Sequence, residues 1–252
     1  MTAKTATKYQ VLAIQLIVGV GVIAFLFFAS RFNSFLPSPI AVFIAGGDLL
    51  ARPELYWNLG VTLYEALTGL LIATVLGIGV GVLAGANRAA SEFLSPIILA
   101  LYSVPKIIFL PVLLMVFGVG LPPKIANAAL HAFFPIVLNS MVGMSAVNRL
   151  HLKVARSMVA SRSQIVFKVF LPSMVLPVFA GVRLGLGLSV MGALLAELFE
   201  AQAGVGYLVH QFYAKGLIAE MIVLIIVVFV VILSINAGMQ RIENRLNRWR
   251  GA

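Results

Sequence analysis

Cysteine is missing altogether and charge is scarce: among 252 residues none is Cys, 10% are charged, and 8 acidic residues stand against 18 basic ones. The first absence excludes disulfides and cysteine-ligated metal centres, and leaves the compartment open. The second excludes an ordinary water-soluble domain. With 62% hydrophobic residues and a mean hydropathy of +1.08, a soluble fold of this length has too little polar material to cover its surface. Histidine is confined to His131, His151 and His210, far apart in sequence, and no HExxH run occurs, so no metal ligand set is legible. There is no GxxxxGKS or GxxxxGKT run, hence no loop to cradle nucleotide phosphates. No Ser-His-Asp arrangement follows from spacing, and no catalytic residue is assigned. The net charge of +10 is explained more simply by cationic loops on anionic lipid than by nucleic acid, which is not expected as a partner.

What is present is apolar sequence in long runs. Six segments approach or exceed the ~20 residues needed to cross a bilayer, at 11–29, 59–86, 94–119, 125–147, 174–199 and 217–237. The pattern predicts an all-α polytopic membrane protein. The first run is long for a signal-peptide core, and the Pro-Ser-Pro that follows it forms no small-residue cleavage site, so it is expected to remain as a span. With the N-terminus in the cytoplasm, inside segments hold twelve of the eighteen Lys and Arg, and outside segments hold four: Arg31, Arg52, Lys124 and Lys215. That bias predicts both termini in the cytoplasm. Lys106 and Arg183 fall within the third and fifth runs, and Glu65 and Glu197 near outer ends of the second and fifth.

The apolar runs are rich in small residues. The second carries Gly69, Gly77, Gly79, Gly81 and Gly85; the fifth carries Gly181, Gly185, Gly187 and Gly192. Such residues let helix backbones approach closely in lipid. Pro105, Pro111 and Pro135 predict bent or interrupted helices in the middle of the chain.

Between the fourth and fifth runs lies KVARSMVASRSQIVFKVFLP, Lys153 to Pro172, with Lys153, Arg156, Arg162 and Lys168, and with no Asp or Glu from Arg149 through Ser173. Val154, Met158, Ile165, Phe167 and Phe170 give it an apolar side. It is too short and too charged to span. Physical chemistry allows two readings: a cationic loop lying on lipid headgroups, or a docking element whose apolar face fills a groove on a cytoplasmic partner.

The run ARSMVASRSQIVFKVFLP resembles the cytoplasmic loop of permease subunits of ATP-binding-cassette (ABC) importers, nearest to the nitrate, sulfonate and taurine branch. SVPKIIFLPVLLMVFGVG (Ser103–Gly120), HAFFPIVLNSMVGM (His131–Met144) and LPSMVLPVFAGVRLGLGLSVMGALLAELF followed by GVGYLV resemble that branch's neighbouring spans, in order, from about Leu59 to Val209. The resemblance implies a type I importer permease fold with six transmembrane helices. It also implies the division of the chain: a cytoplasmic tail at 1–10, a first transmembrane helix and external loop at 11–58, a permease core at 59–240 with its coupling loop at 149–172, and a basic cytoplasmic tail at 241–252.

In that family the loop forms short helices that dock on the ATPase subunit. Carried over, Lys153, Ala155, Arg156, Val159, Ala160, Ser161, Arg162 and the Leu171–Pro172 end are the coupling residues, with Pro172 expected to stop the loop helix before the fifth span. Lys153 stands where the family usually has glutamate, and Val159 where it has a glycine that permits the turn; valine resists positive φ. The two short helices would then either run together or meet a partner of altered charge. Lys106, Arg183 and Glu197 are the candidates for the translocation path, with pairing to carbonyls or to a glutamate as the structural alternative. The resemblance implies a multi-pass protein of the bacterial inner membrane that is not itself an enzyme and binds no cofactor. Its implied partners are two ATPase subunits carrying ATP and Mg, a second permease copy, a periplasmic or tethered binding protein, and membrane lipid. The substrate class is a small anion of sulfonate, taurine or nitrate type. An ATP-independent secondary carrier or channel is the alternative.

Overall fold

The computed structural model describes residues 36–147, 149–199 and 202–248, and every regular element in it is helical. The expected first span at 11–29, together with Lys4, Lys8, Arg31 and Arg250, lies outside the described residues. The chain divides into two compact units: Met1–Tyr56 with Val209–Val227, and Trp57–Leu208 with Val228–Ala252.

In the first unit, the segment expected as an external loop contains a helix, α1 (Pro39–Leu50). Ser38 caps it by accepting from the Ala41 N–H at 3.2 Å, and Pro39 sits at the first helical position, where a missing N–H costs nothing. Tyr56 donates its hydroxyl to the Leu50 carbonyl at 2.8 Å.

The second unit is built on three long helices, α2 (Pro53–Gly85), α5 (Leu121–Ser145) and α8 (Leu171–Phe199). Small residues set their separation. A methyl group placed on Gly69 would lie 2.7 Å from Ala128 Cβ, and one on Gly85 2.8 Å from Met144 Cβ; Gly77 and Gly81 face Ile136 and Ser140 between them. Both numberings rise together, so α2 and α5 run parallel. Along α8, Gly181 meets Asn139, Gly185 meets Ile136, and Gly192 meets Ala128 and His131, so α8 runs antiparallel to α5. The core is correspondingly fine-grained: Leu70, Ala73, Ala132, Ile136 and Leu186 in one cluster, Ala66, Ala128, Val190 and Ala193 in the next. Lipid offers no hydrophobic drive for association, so this close approach is what holds the helices together. Large apolar side chains such as Leu83, Met115 and Phe199 are left on the outside, a surface suited to lipid and not to water.

Four described helices are long and apolar enough to cross a membrane: Pro53–Gly85, Leu121–Ser145, Arg162–Phe199 and Ile218–Leu246. A bent pair raises the number to five if it forms one span. That pair is the expected third run. It divides into α3 (Arg88–Ser103) and, after a short 3-10 turn at Lys106–Phe109, α4 (Leu110–Phe117), with an 81° bend. Pro105 sits at the break, where it cannot donate to the preceding turn.

Pro135 lies inside α5, which continues past it. Two other expectations are corrected. Lys124 belongs not to an outside loop but to the first turn of α5, where it is buried and lies 3.4 Å from the fully buried Glu65 carboxylate. Pro172 does not stop a helix: Arg162–Phe199 is continuous. A π turn at Val166–Phe170 supplies the reason. The Leu171 N–H reaches back to the Val166 carbonyl, and the widened turn makes room for a proline ring that would strike the Lys168 carbonyl in a regular α-helix.

Candidate functional site

The cationic loop is two short helices joined by a tight turn, a hairpin in chain order. Its first arm is α6 (Arg149–Ser157) and its second is α7 (Arg162–Ile165), which leads through the π turn into α8. Arm one ends in a Schellman motif: the Ala160 N–H donates to the Ala155 carbonyl and the Val159 N–H to the Arg156 carbonyl, both at 3.0 Å. That motif needs a left-handed residue between its two bonds. Val159 supplies it at φ +55°, the one non-glycine residue at positive φ among those described. The protein builds the same cap elsewhere with glycine. After α9 (Val205–Ala214), the Leu217 N–H donates to Phe212 at 2.8 Å and Gly216 N–H to Tyr213 at 3.0 Å, with Gly216 at φ +70°. The valine turn therefore keeps the glycine geometry at a cost of about 1–2 kcal/mol. Of the two expected consequences of Val159, the merging of the two short helices does not occur.

Arm two starts with a capping box. Ser161 Oγ accepts from the Gln164 N–H at 3.3 Å, and Gln164 Oε1 accepts from the Ser161 N–H at 2.8 Å. Turn and cap together fix the angle between the arms. Lys153, Arg156, Ser161 and Arg162 are exposed along the hairpin, while Ala155 and Ala160 are half-buried. The tip is apolar: Met158 is 77% exposed and Val159 90%. The structure thus brings Lys153 through Arg162 together in one element and sets Leu171 and Pro172 apart, beyond the π turn. Leu171 instead helps line an apolar cavity of about 480 Å³ with Ile78, Val82, Met144, Phe170 and Phe179. Met158, read from the sequence as part of the apolar side but not among the coupling residues, stands at the tip directly before the turn residue.

The three path candidates occupy separate surroundings. Lys106, at the helix break, donates to the Tyr102 carbonyl and lies over the rings of Tyr102 and Phe134, 4.4 and 5.3 Å from their centroids. Arg183 bridges to α10 (Ile218–Arg248), with Nε donating to Asn236 Oδ1 at 2.8 Å and Nη1 to Glu243 Oε2 at 2.7 Å. Asn236 and Glu243 are two turns apart on one face, a relation that no pairwise motif announces. Arg183→Gln and Glu243→Gln are each expected to cost about 1–3 kcal/mol of stability, with a double variant well short of the sum. Detergent unfolding of the four proteins measures this. If uptake falls in Arg183→Gln but not in Glu243→Gln at equal stability, the arginine serves the path.

Glu197 is fully engaged. Its Oε1 accepts from Thr62 Oγ1 and its Oε2 from the Gly206 N–H, both at 2.7 Å. The Val205 N–H donates to Thr62 Oγ1 at 2.8 Å, and the Gly204 N–H to Asn58 Oδ1 at 2.7 Å. Side chains from α2 and α8 so satisfy the free N–H groups that open α9, and a carboxylate lies at the positive helix end. Gly204, at φ +111°, is required twice over, because a Cβ there would overlap the Glu197 carboxylate. Among the described residues no group of three or more His, Asp or Glu side chains comes together to hold a metal ion.

Comparison with known proteins shows the family and the fold. The family model described as binding-protein-dependent transport system inner membrane component matches residues 73–248. A permease named for aliphatic sulfonate transport in Bacillus subtilis (strain 168) is 30% identical over 94% of this chain and 83% of its own length. The taurine transport system permease of Escherichia coli (strain K12) is 30% identical over 86% and 81%, and the nitrate import permease of Leptolyngbya laminosa 31% over 82% and 78%. In fold, a chain of the inward-facing MetNI methionine ABC transporter superposes with a TM-score of 0.66, covering 77% of this chain and 96% of that one at 21% identity. The chain therefore belongs to the binding-protein-dependent transport system inner membrane components, as an ABC importer permease of the sulfonate, taurine and nitrate branch.

Proposed function

We propose that this protein is the permease subunit of an ATP-driven importer that couples to a separate ATPase through the hairpin at 149–165 and takes a small anion as substrate. The observation that carries the coupling role is the hairpin itself: a rigidly capped pair of short helices with an apolar tip, flanked by Lys153, Arg156 and Arg162 and free of Asp and Glu. An element meant only to lie on headgroups has no need of a Schellman turn held at positive φ; a plain amphipathic helix would serve. A contact of defined shape does need it.

The complete arrangement in this proposal has six spans with both termini in the cytoplasm of a bacterial inner membrane. A second copy of the chain completes the path, two ATPase subunits hold ATP and Mg, and a periplasmic or tethered binding protein delivers substrate. ATP binding closes the ATPases, and the hairpins pass that movement to the long helix continuous with each. The division at 59–240 for the core, with basic ends outside it, belongs to the same proposal, as does a path role for Lys106, Arg183 and Glu197. The three relatives bear names for different small substrates at nearly equal identity, so identity to them does not choose among sulfonate, taurine and nitrate.

The test is to tag the chain, solubilise native membranes gently, identify what co-purifies, and reconstitute the complex in vesicles. The expected result is a stoichiometric soluble ATPase and anion uptake that requires ATP. A chain that emerges alone and moves solute without ATP would establish the carrier or channel reading instead.

A further inference from the structure

We infer that Val159 is a specificity-determining contact of the hairpin, seated in an apolar pocket on the ATPase subunit; the inference rests on the coupling role proposed above. A strained backbone conformation persists only where something compensates it. Within this chain nothing does so for the valine side chain. The left-handed turn is made by backbone hydrogen bonds from Val159 and Ala160, which glycine would form without strain, as Gly216 does in the matching turn. The isopropyl group is 90% exposed and fixes no neighbour. Its gain therefore lies outside the chain, with whatever the hairpin tip touches.

The surroundings define that partner surface. Met158, beside the valine, is also exposed, so the two present a continuous apolar knob. Lys153, Arg156 and Arg162 are exposed around it, and no acidic residue lies between Arg149 and Ser173 to neutralise them. A complementary surface is an apolar pocket with carboxylates on its rim: the pocket gives affinity for the knob, the rim gives orientation and rejects partners of the wrong sign. Where the turn residue is glycine, such a pocket has nothing to receive, and an ATPase matched to a glycine turn meets the valine methyls as a clash. The side chain thus distinguishes one ATPase from another.

Strain and contact predict opposite results, which makes the test decisive. Val159→Ala keeps a Cβ at positive φ and deletes two methyl groups; Val159→Gly also removes the strain. The ATPase that co-purifies with the native chain, expressed separately, is titrated against native, Val159→Ala and Val159→Gly permease in nanodiscs. Hydrogen exchange at the 158–161 amides reports whether the hairpin persists. The expected result is about tenfold weaker association for Val159→Ala, and association at least as weak for Val159→Gly, with the hairpin protected in both. Association as tight as native, or tighter, in both variants overturns the inference and leaves the valine as tolerated strain. A native chain that binds no ATPase overturns the coupling role itself, and this inference with it.

Discussion

Ala160→Glu is expected to cut ATP-dependent uptake by about 10²-fold or more while leaving the permease folded. Ala160 closes the Schellman turn: its N–H is the donor to Ala155, and its small side chain lies half-buried between the exposed tip and the Ser161 cap. The backbone bond survives the substitution, and a glutamate can turn outward, so the cost in stability stays within about 0.5 kcal/mol. The surface it alters is another matter. A carboxylate placed among Lys153, Arg156 and Arg162 pairs with them and removes the positive character of the tip. Bulk appears where two small residues permitted close approach. Disrupting one charged contact at a desolvated interface costs about 2–5 kcal/mol, and about 2.8 kcal/mol, in the lower part of that range, already corresponds to 10²-fold in association. Uptake into vesicles, ATPase co-purification and an unfolding curve together decide it. Normal uptake in a folded Ala160→Glu protein would mean that the hairpin does not carry coupling.

Gly81→Ala should be among the most damaging single-methyl changes in the bundle, and Gly79→Ala, two residues away, should be harmless. A Cβ on Gly81 would run into Ser140 Cβ and lie 2.6 Å from the Val137 carbonyl, whereas one on Gly79 has nothing within 4 Å. The obstacles at position 81 are rigid helix atoms rather than the end of a flexible side chain. Relief requires α2 and α5 to move apart, which also loosens the neighbouring contacts of Gly77 and Gly85. Overpacking of this kind costs about 1–3 kcal/mol, and the upper end applies here. Gly79→Ala gains up to about 1 kcal/mol in helix propensity. Unfolding midpoints of the two variants in the same detergent test the pair. Equal behaviour would refute the parallel α2–α5 contact.

That pair of glycines shows what was and was not legible beforehand. The glycines of the second apolar run announced close packing, but composition could not say which of them faced a helix and which faced lipid. The same holds in α8, where Gly185 lies against Ile136 and Gly187 against open space. Local rules also misjudged two residues. Pro172 reads as a helix stop, yet the preceding π turn carries the helix past it, because the packing of α8 as one long rod outweighs one missing hydrogen bond. Lys124 reads as an outside loop charge beside two prolines. In the fold it is drawn into the first turn of α5 and faces Glu65, a partner 59 residues earlier that no local pattern indicates.

Amino-acid order alone determined the class of this protein, because hydropathy in runs near twenty residues, cationic loops and the absence of cysteine and nucleotide motifs are properties read within a window of sequence. It also located the cationic segment, since a polar, acid-free stretch between two apolar runs stands out within a window of sequence. Tertiary structure decided the rest. The positive φ of Val159, the choice of Gly81 over Gly79, the Arg183–Glu243 bridge and the employment of Glu197 at the start of α9 each depend on atoms brought together from distant parts of the chain. Their energies come from distances of a few ångströms, and sequence spacing does not specify distances across a fold.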